Sequence, residues 1–159
     1  MCLVQPLGLR LLLEPGRFIV GNAGILVTRV EYVKRTGKKN FVIVDAAMND
    51  LIRPAFYEAY HEIVPVVRRR SQGVATDVVG PICESSDCFC KDRIMPRVEE
   101  GEYLAILSAG AYGSVMSSTY NSRPLAAEVL VNGNRAAVVR ERQLVSAIWA
   151  GEKIAPWLK

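Results

Sequence analysis

Apolar positions along the chain come in short runs separated by turn residues, not in long helical stripes. Residues 9–13 read as a short buried strand, stopped by the turn Glu14-Pro15-Gly16. Over 18–30 the spacing of Ala23, Leu26, Val27 and Val30 predicts a helix with one buried face, with 28–33 as an alternative extended stretch. Gly37, Lys38, Lys39 and Asn40 form a polar turn before the β-branched run 41–44, which predicts a hairpin. Pro54 suits the first turn of a short helix over 53–60. Runs over 62–67, 76–82 and 103–107 predict further strands, the last opened by a turn at Gly101. Residues 127–131 and 136–140 flank Asn132-Gly133-Asn134 and predict a second hairpin, and 143–148 predicts a terminal helix.

This count of short strands with few helices predicts a mainly β chain, a β-barrel or sandwich. The first thirty residues stand outside the pattern and look like the last strand and helix of another unit. A strand over 9–13 without a neighbour would be an open edge and would promote self-association.

Composition changes this picture little. The chain has 159 residues, half of them hydrophobic and 23% charged, which is globular and enough for one ordinary core. A positive mean hydropathy points to apolar surface that a partner covers. The net charge of +4 is spread, and the one tight basic run, Arg68-Arg69-Arg70, has no interleaved aromatics, so nucleic acid is not an expected partner. Four cysteines (Cys2, Cys83, Cys88, Cys90) with a single histidine, His61, fit neither a disulfide scaffold nor a zinc site, which favours a reducing cytoplasm and no metal. The apolar stretch 3–13 lacks a basic leader and is too short to span a bilayer as a helix, so no membrane partner is expected.

Four clusters carry possible chemistry. Glu14-Pro15-Gly16-Arg17 is a glycine turn before a helix with an arginine beside it, suited to phosphate or carboxylate, though also an ordinary connection. Arg53 and Tyr57 are four residues apart, on one face of a helix, where they can clamp a carboxylate or simply form a surface pair. Cys83-Glu84 follows an apolar run, and such a cysteine serves either as a proton donor or nucleophile or as a small core residue. Tyr112 sits among small residues in Ser108-Ala-Gly-Ala-Tyr-Gly113, where it can reach a ligand or pack in a tight strand end.

In this order the clusters resemble those of the diaminopimelate decarboxylases. The likeness runs through LEPGRFIVGNAG (13–24), VDAAMNDLIRPAFYEAYH (44–61), VVGPICESSD (78–87) and SAGAYGSVMSSTYNSRPLAAEVLVNG (108–133). The related ornithine decarboxylases share the layout, but Cys83-Glu84 together with Arg53 and Tyr57 points to diaminopimelate.

The resemblance implies a pyridoxal 5'-phosphate enzyme built from a (β/α)8 barrel and a β-barrel domain. Its sites would lie at a homodimer interface. Residues 1–30 would be a remnant of the cofactor-binding barrel and 31–159 the β-barrel domain with short helices. Glu14, Pro15, Gly16 and Arg17 would bind the cofactor phosphate, and Arg17 would also reach substrate. Arg53 and Tyr57 would grip the distal carboxylate of the amino-acid substrate, and Glu84 its ammonium. Tyr112 would touch both cofactor and substrate. Cys83, from the partner subunit, would donate a proton after carbon dioxide leaves. None of Lys34, Lys38, Lys39 or Lys91 stands in the context of the family's cofactor-bearing lysine. The chain alone is therefore expected to be inactive, needing a complementing barrel chain; the alternative is a non-catalytic dimerisation or amino-acid-binding module.

Overall fold

The computed structural model describes residues 5–37, 39–67 and 72–158; Cys2 and Arg68 to Arg70 lie outside them. The main body is a six-stranded sheet made of β1 (Leu26–Arg35), β2 (Asn40–Val44), β3 (Ile63–Pro65), β4 (Gly73–Val79), β5 (Cys88–Pro96) and β6 (Tyr103–Ile106). Its strand order is β3-β6-β1-β2-β4-β5. All neighbours run antiparallel except β2 and β4, which pair in parallel from Asn40 opposite Thr76 to Ile43 opposite Val79. A separate ribbon pairs β7 (Glu128–Asn132) with β8 (Arg135–Arg140). Among the described residues there are two α-helices of five residues each, α1 (Gly16–Val20) and α2 (Arg53–Tyr57).

Burial explains the sheet. Along β1, Thr28 and Val30 are buried while their neighbours are exposed, the two-residue period of a strand with one covered face. Val30, Val42, Val44, Val78, Leu104 and Ile106 meet in the core, each 1% exposed or less. Each such side chain contributes about 1.5–3 kcal/mol on burial. The sheet curls until its edges approach. Arg93 on β5 donates a hydrogen bond to the carbonyl of His61, just before β3, and its guanidinium lies 4.5 Å from the Tyr60 ring centroid. A side chain thus bridges the gap that backbone pairing leaves in a nearly closed barrel.

Both hairpins form as expected, and the strand expectations over 62–67, 76–82 and 103–107 are met by β3, β4 and β6 with shifted ends. Four readings need correction. Residues 9–13 make no strand; among the described residues nothing pairs with them, and their leucines are exposed. The helix predicted over 18–30 is cut to Gly16–Val20 and a 3-10 turn at Gly21–Ala23, because the β-branched run from Leu26 pairs with β6 and β2. The terminal helix is only a 3-10 turn, Val145–Ile148. Finally, β5 was not anticipated. Its middle is Lys91-Asp92-Arg93, with Asp92 left-handed (φ 48°) at a bulge, so no regular alternation marks it. The bulge is satisfied by tertiary contacts: Asp92 N–H donates to Asp77 Oδ1 (2.7 Å), and Lys39 Nζ reaches Asp77 (2.8 Å) and Asp92 (3.2 Å).

Candidate active site

Three connections of the sheet meet at one place. The first carries Arg17 on α1. Gly110 N–H donates to the Gly21 carbonyl (3.0 Å) and Ala109 N–H to Gly24 (2.8 Å), so α1 is docked on the segment after β6. The approach is so close that a Cβ on Gly110 would overlap the Val20 carbonyl, which is why small residues fill this stretch. The docking brings Arg17 Nη2 to the Ser108 carbonyl (3.4 Å) and Gly16 against Tyr112, whose hydroxyl lies 3.0 Å from where a Cβ of residue 16 would be. Tyr112 and Ser108 both adopt left-handed φ, 56° and 59°. Such backbone is costly for a tyrosine and persists only where surrounding structure imposes it.

The second connection carries α2. A tight turn leads into it: Asp50 Oδ2 accepts the Ala47 N–H (2.9 Å), and Leu51, 1% exposed, plugs the core. Glu58, left-handed at φ 51°, stops the helix after one turn. Arg53 and Tyr57 share a face as their spacing predicts, with the guanidinium 5.6 Å from the Tyr57 ring centroid. The same guanidinium lies 5.9 Å from the Tyr112 ring. Arg17, Arg53, Tyr57 and Tyr112, taken from three segments of sequence, therefore form one cluster.

His61 completes it, a residue that motif reading left without a role although it is the chain's one histidine. It is 1% exposed, and its Nδ1 lies 2.8 Å from the Leu107 carbonyl. A carbonyl only accepts, so Nδ1 carries the proton and Nε2 is a bare acceptor. Burial pushes the pKa of His61 down, the Leu107 carbonyl opposes this, and the charges of Arg53, Arg17 and Arg93 reinforce it. Arg17 Nε, Arg53 Nε and His61 Nε2 are all buried without a hydrogen-bond partner among the described residues. Buried donors left open on cationic side chains are costly unless something fills the site. The cluster fits an anionic group, a phosphate or a carboxylate, which two guanidinium groups and a phenol can bind together. Glu14 and Pro15 are exposed, and the Gly16 N–H is turned back onto the Glu14 carbonyl (2.9 Å).

The remaining predicted residues lie on the connection between β4 and β5. Cys83 is exposed on the loop between β4 and β5. The neighbouring Glu84 is also exposed, its carboxylate held below the ordinary range by the Ser86 N–H (3.1 Å) and hydroxyl (2.9 Å). Among the described residues no hydrogen bond or ion pair joins Cys83 or Glu84 to the arginine–tyrosine cluster. A cleft of about 410 Å³, lined by Pro54, Glu58, Tyr60, Ser86, Cys88 and Arg93, lies between α2 and this part of the chain. Burial pushes the thiols of Cys88 and Cys90 up, which makes them poor nucleophiles.

The chain is similar to known proteins over most of its length. A family described as "Pyridoxal-dependent decarboxylase, C-terminal sheet domain" matches residues 17–110. A diaminopimelate decarboxylase of Vibrio cholerae is 53% identical over 148 residues, 93% of this chain but 35% of the relative. Among solved structures, a diaminopimelate decarboxylase of M. jannaschii in complex with L-lysine superposes with a TM-score of 0.85 at 38% identity, covering 91% of this chain and 33% of that one. That of Helicobacter pylori complexed with L-lysine gives 0.79 at 45% identity, covering 92% and 36%. The chain thus spans about a third of the length of the relatives it matches. A mainly β sheet domain with this motif order and this degree of identity belongs to the pyridoxal-dependent decarboxylases, of which it carries the C-terminal sheet domain.

Proposed function

We propose that this chain supplies the substrate-recognising part of a diaminopimelate decarboxylase, which converts meso-2,6-diaminopimelate to L-lysine and carbon dioxide. The observation that carries the reading is the convergence of Arg17, Arg53, Tyr57 and Tyr112 around buried guanidinium nitrogens that lack partners. Two relatives of similar fold are complexed with L-lysine, the product of that reaction.

Arg53 and Tyr57 bind the carboxylate at the far end of the substrate. Glu84 binds the ammonium beside it, as a carboxylate that is ionised at neutral pH. A shorter amino acid would leave these groups desolvated and unpaired, which penalises it strongly. Arg17, with the 14–16 turn, holds the phosphate of pyridoxal 5'-phosphate, and Tyr112 contacts cofactor and substrate. When bound, the cofactor supplies the electron sink for loss of carbon dioxide. Cys83 donates the proton that replaces the carboxylate. Among the described residues no bond joins Cys83 or Glu84 to the cluster of their own chain; both are assigned to the site of a second subunit, so the working assembly is a homodimer. Residues 1–30 complete a (β/α)8 barrel that bears the cofactor's lysine, and the enzyme works in the cytoplasm.

Mixing this chain with a complementing barrel chain, pyridoxal phosphate and meso-diaminopimelate tests the proposal. Carbon dioxide is expected only from the mixture, and Arg53→Ala is expected to lower kcat/KM by about a hundredfold or more, as for loss of a charge-assisted bidentate contact. Substrate binding without carbon dioxide release from the mixture would instead identify a non-catalytic amino-acid-binding module. Turnover by this chain alone would refute the need for the barrel's lysine.

A further inference from the structure

We propose that Asp87 is the positioning residue that holds the 80–87 loop in the shape presenting Cys83 and Glu84 to substrate. The inference rests on the roles given to Cys83 and Glu84 above. Asp87 is 3% exposed although it carries a carboxylate. It uses both ends. Oδ1 accepts the Met48 N–H (2.7 Å), and Oδ2 accepts the Ile82 N–H (2.8 Å). Its backbone closes the same turn, accepting the Gly80 N–H (3.0 Å) and donating to the Glu84 carbonyl (3.0 Å). Glu84 N–H in turn donates to the Ile82 carbonyl (2.8 Å). One buried residue therefore closes the loop around its tip, residues 83 and 84, its side chain holding Ile82 before the tip and its backbone N–H holding the Glu84 carbonyl.

The packing leaves no slack. A Cβ on Gly80 would overlap Asp87 Oδ2, so the carboxylate occupies the space a side chain at position 80 would take. Through Met48, Asp87 also ties the loop to the turn that leads into α2, on which Arg53 and Tyr57 ride. The Ser86 hydroxyl, which lies near Met48 Sδ (3.8 Å) as well as Glu84 Oε1 (2.9 Å), adds a second link at the same point. No cation pairs with Asp87 among the described ion pairs; its partners are backbone N–H groups, whose fixed directions define the shape of a loop. An asparagine in its place would turn an amide NH₂ toward one of those donors.

Asp87→Asn removes one acceptor in place, and Gly80→Ala displaces the carboxylate without altering its charge. Amide exchange of the full chain reports the effect at Glu84, whose N–H is bonded to Ile82 and not to Asp87. Both variants are expected to speed exchange at Glu84 by about tenfold or more, the factor that loss of a charge-assisted hydrogen bond implies, with Val44 and Leu104 unchanged. In the mixture with the barrel chain, both are expected to raise KM and lower kcat by about tenfold together, since Glu84 binds and Cys83 donates. Unchanged exchange at Glu84 would overturn the inference. So would equal acceleration at Val44 and Leu104, or a lower kcat at unchanged KM, which mark a general loss of folded protein. If the unaltered mixture releases no carbon dioxide, the decarboxylase reading fails, and exchange at Glu84 against Val44 and Leu104 still decides whether Asp87 shapes the loop.

Discussion

The six-stranded sheet and the β7–β8 ribbon are made from similar apolar, β-branched residues, yet they use them oppositely. Val30, Val42, Val44 and Val78 of the sheet are 1% exposed or less, whereas Val129, Val131, Val138 and Val139 of the ribbon are 54–65% exposed. Strand-forming composition is common to both; what differs is whether a second layer covers the strand. The sheet covers itself by curling, with Arg93 bridging its edges. Among the described residues the ribbon has two strands, too few to enclose a core. Site residues follow the same division: Arg17, Arg53, His61 and Tyr112 all ride on connections into or out of the curled sheet.

The largest stability effect should separate the two regions most clearly. Leu104→Ala, at a site with no exposed surface, should cost about 2–5 kcal/mol in a denaturant melt through lost burial and the cavity left behind. A cost below that of ordinary surface changes would show that the sheet interior is not the structural core.

An intermediate test uses pH and the buried imidazole of His61. Burial, with the charges of Arg53, Arg17 and Arg93, holds the pKa of His61 below its ordinary value of 6.5. Such a histidine binds fewer protons folded than unfolded, so its contribution is complete above 6.5 and is lost as pH falls through the folded value. The melting temperature should therefore fall on acidification from neutrality, and His61→Gln should flatten that part of the profile. Asp50 and Asp87 have pKa values raised by burial, so their linkage runs the other way: stability they confer is greatest below the ordinary carboxylate value and declines as pH rises through the folded one. An acid-labile profile that persists unchanged in His61→Gln would assign the effect to other groups.

The smallest effect belongs to the ribbon. Val131→Ala should shift stability by no more than about 0.5 kcal/mol, because an exposed methyl group gains little on folding. A loss comparable to that of Leu104→Ala would mean that the ribbon is covered in solution.

How much was legible in advance depended on how local the cause was. The hairpins at 37–40 and 132–134 follow from turn residues between β-branched runs, and both form. The shared face of Arg53 and Tyr57 follows from a four-residue spacing and is seen as a guanidinium over a ring. By contrast, β5 has charged residues and a left-handed aspartate at its centre, and only Asp77 and Lys39, distant in sequence, make that bulge acceptable. The strand expected over 9–13 fails for the converse reason: a strand needs a partner, and none of the described residues pairs with it.

Sequence alone therefore determined the family, the turns and the residue types available for chemistry, because those depend on short-range spacing. Tertiary structure decided which of them meet. Docking of α1 on the glycine-rich segment after β6 brings Arg17 to Tyr112, and burial of His61 against the Leu107 carbonyl leaves its Nε2 open in that cluster. It also placed Cys83 and Glu84 exposed at the tip of a loop closed by a buried Asp87. Proximity across dozens of residues is a property of packing, and hydrogen bonds of fixed direction fix it only once the chain has folded.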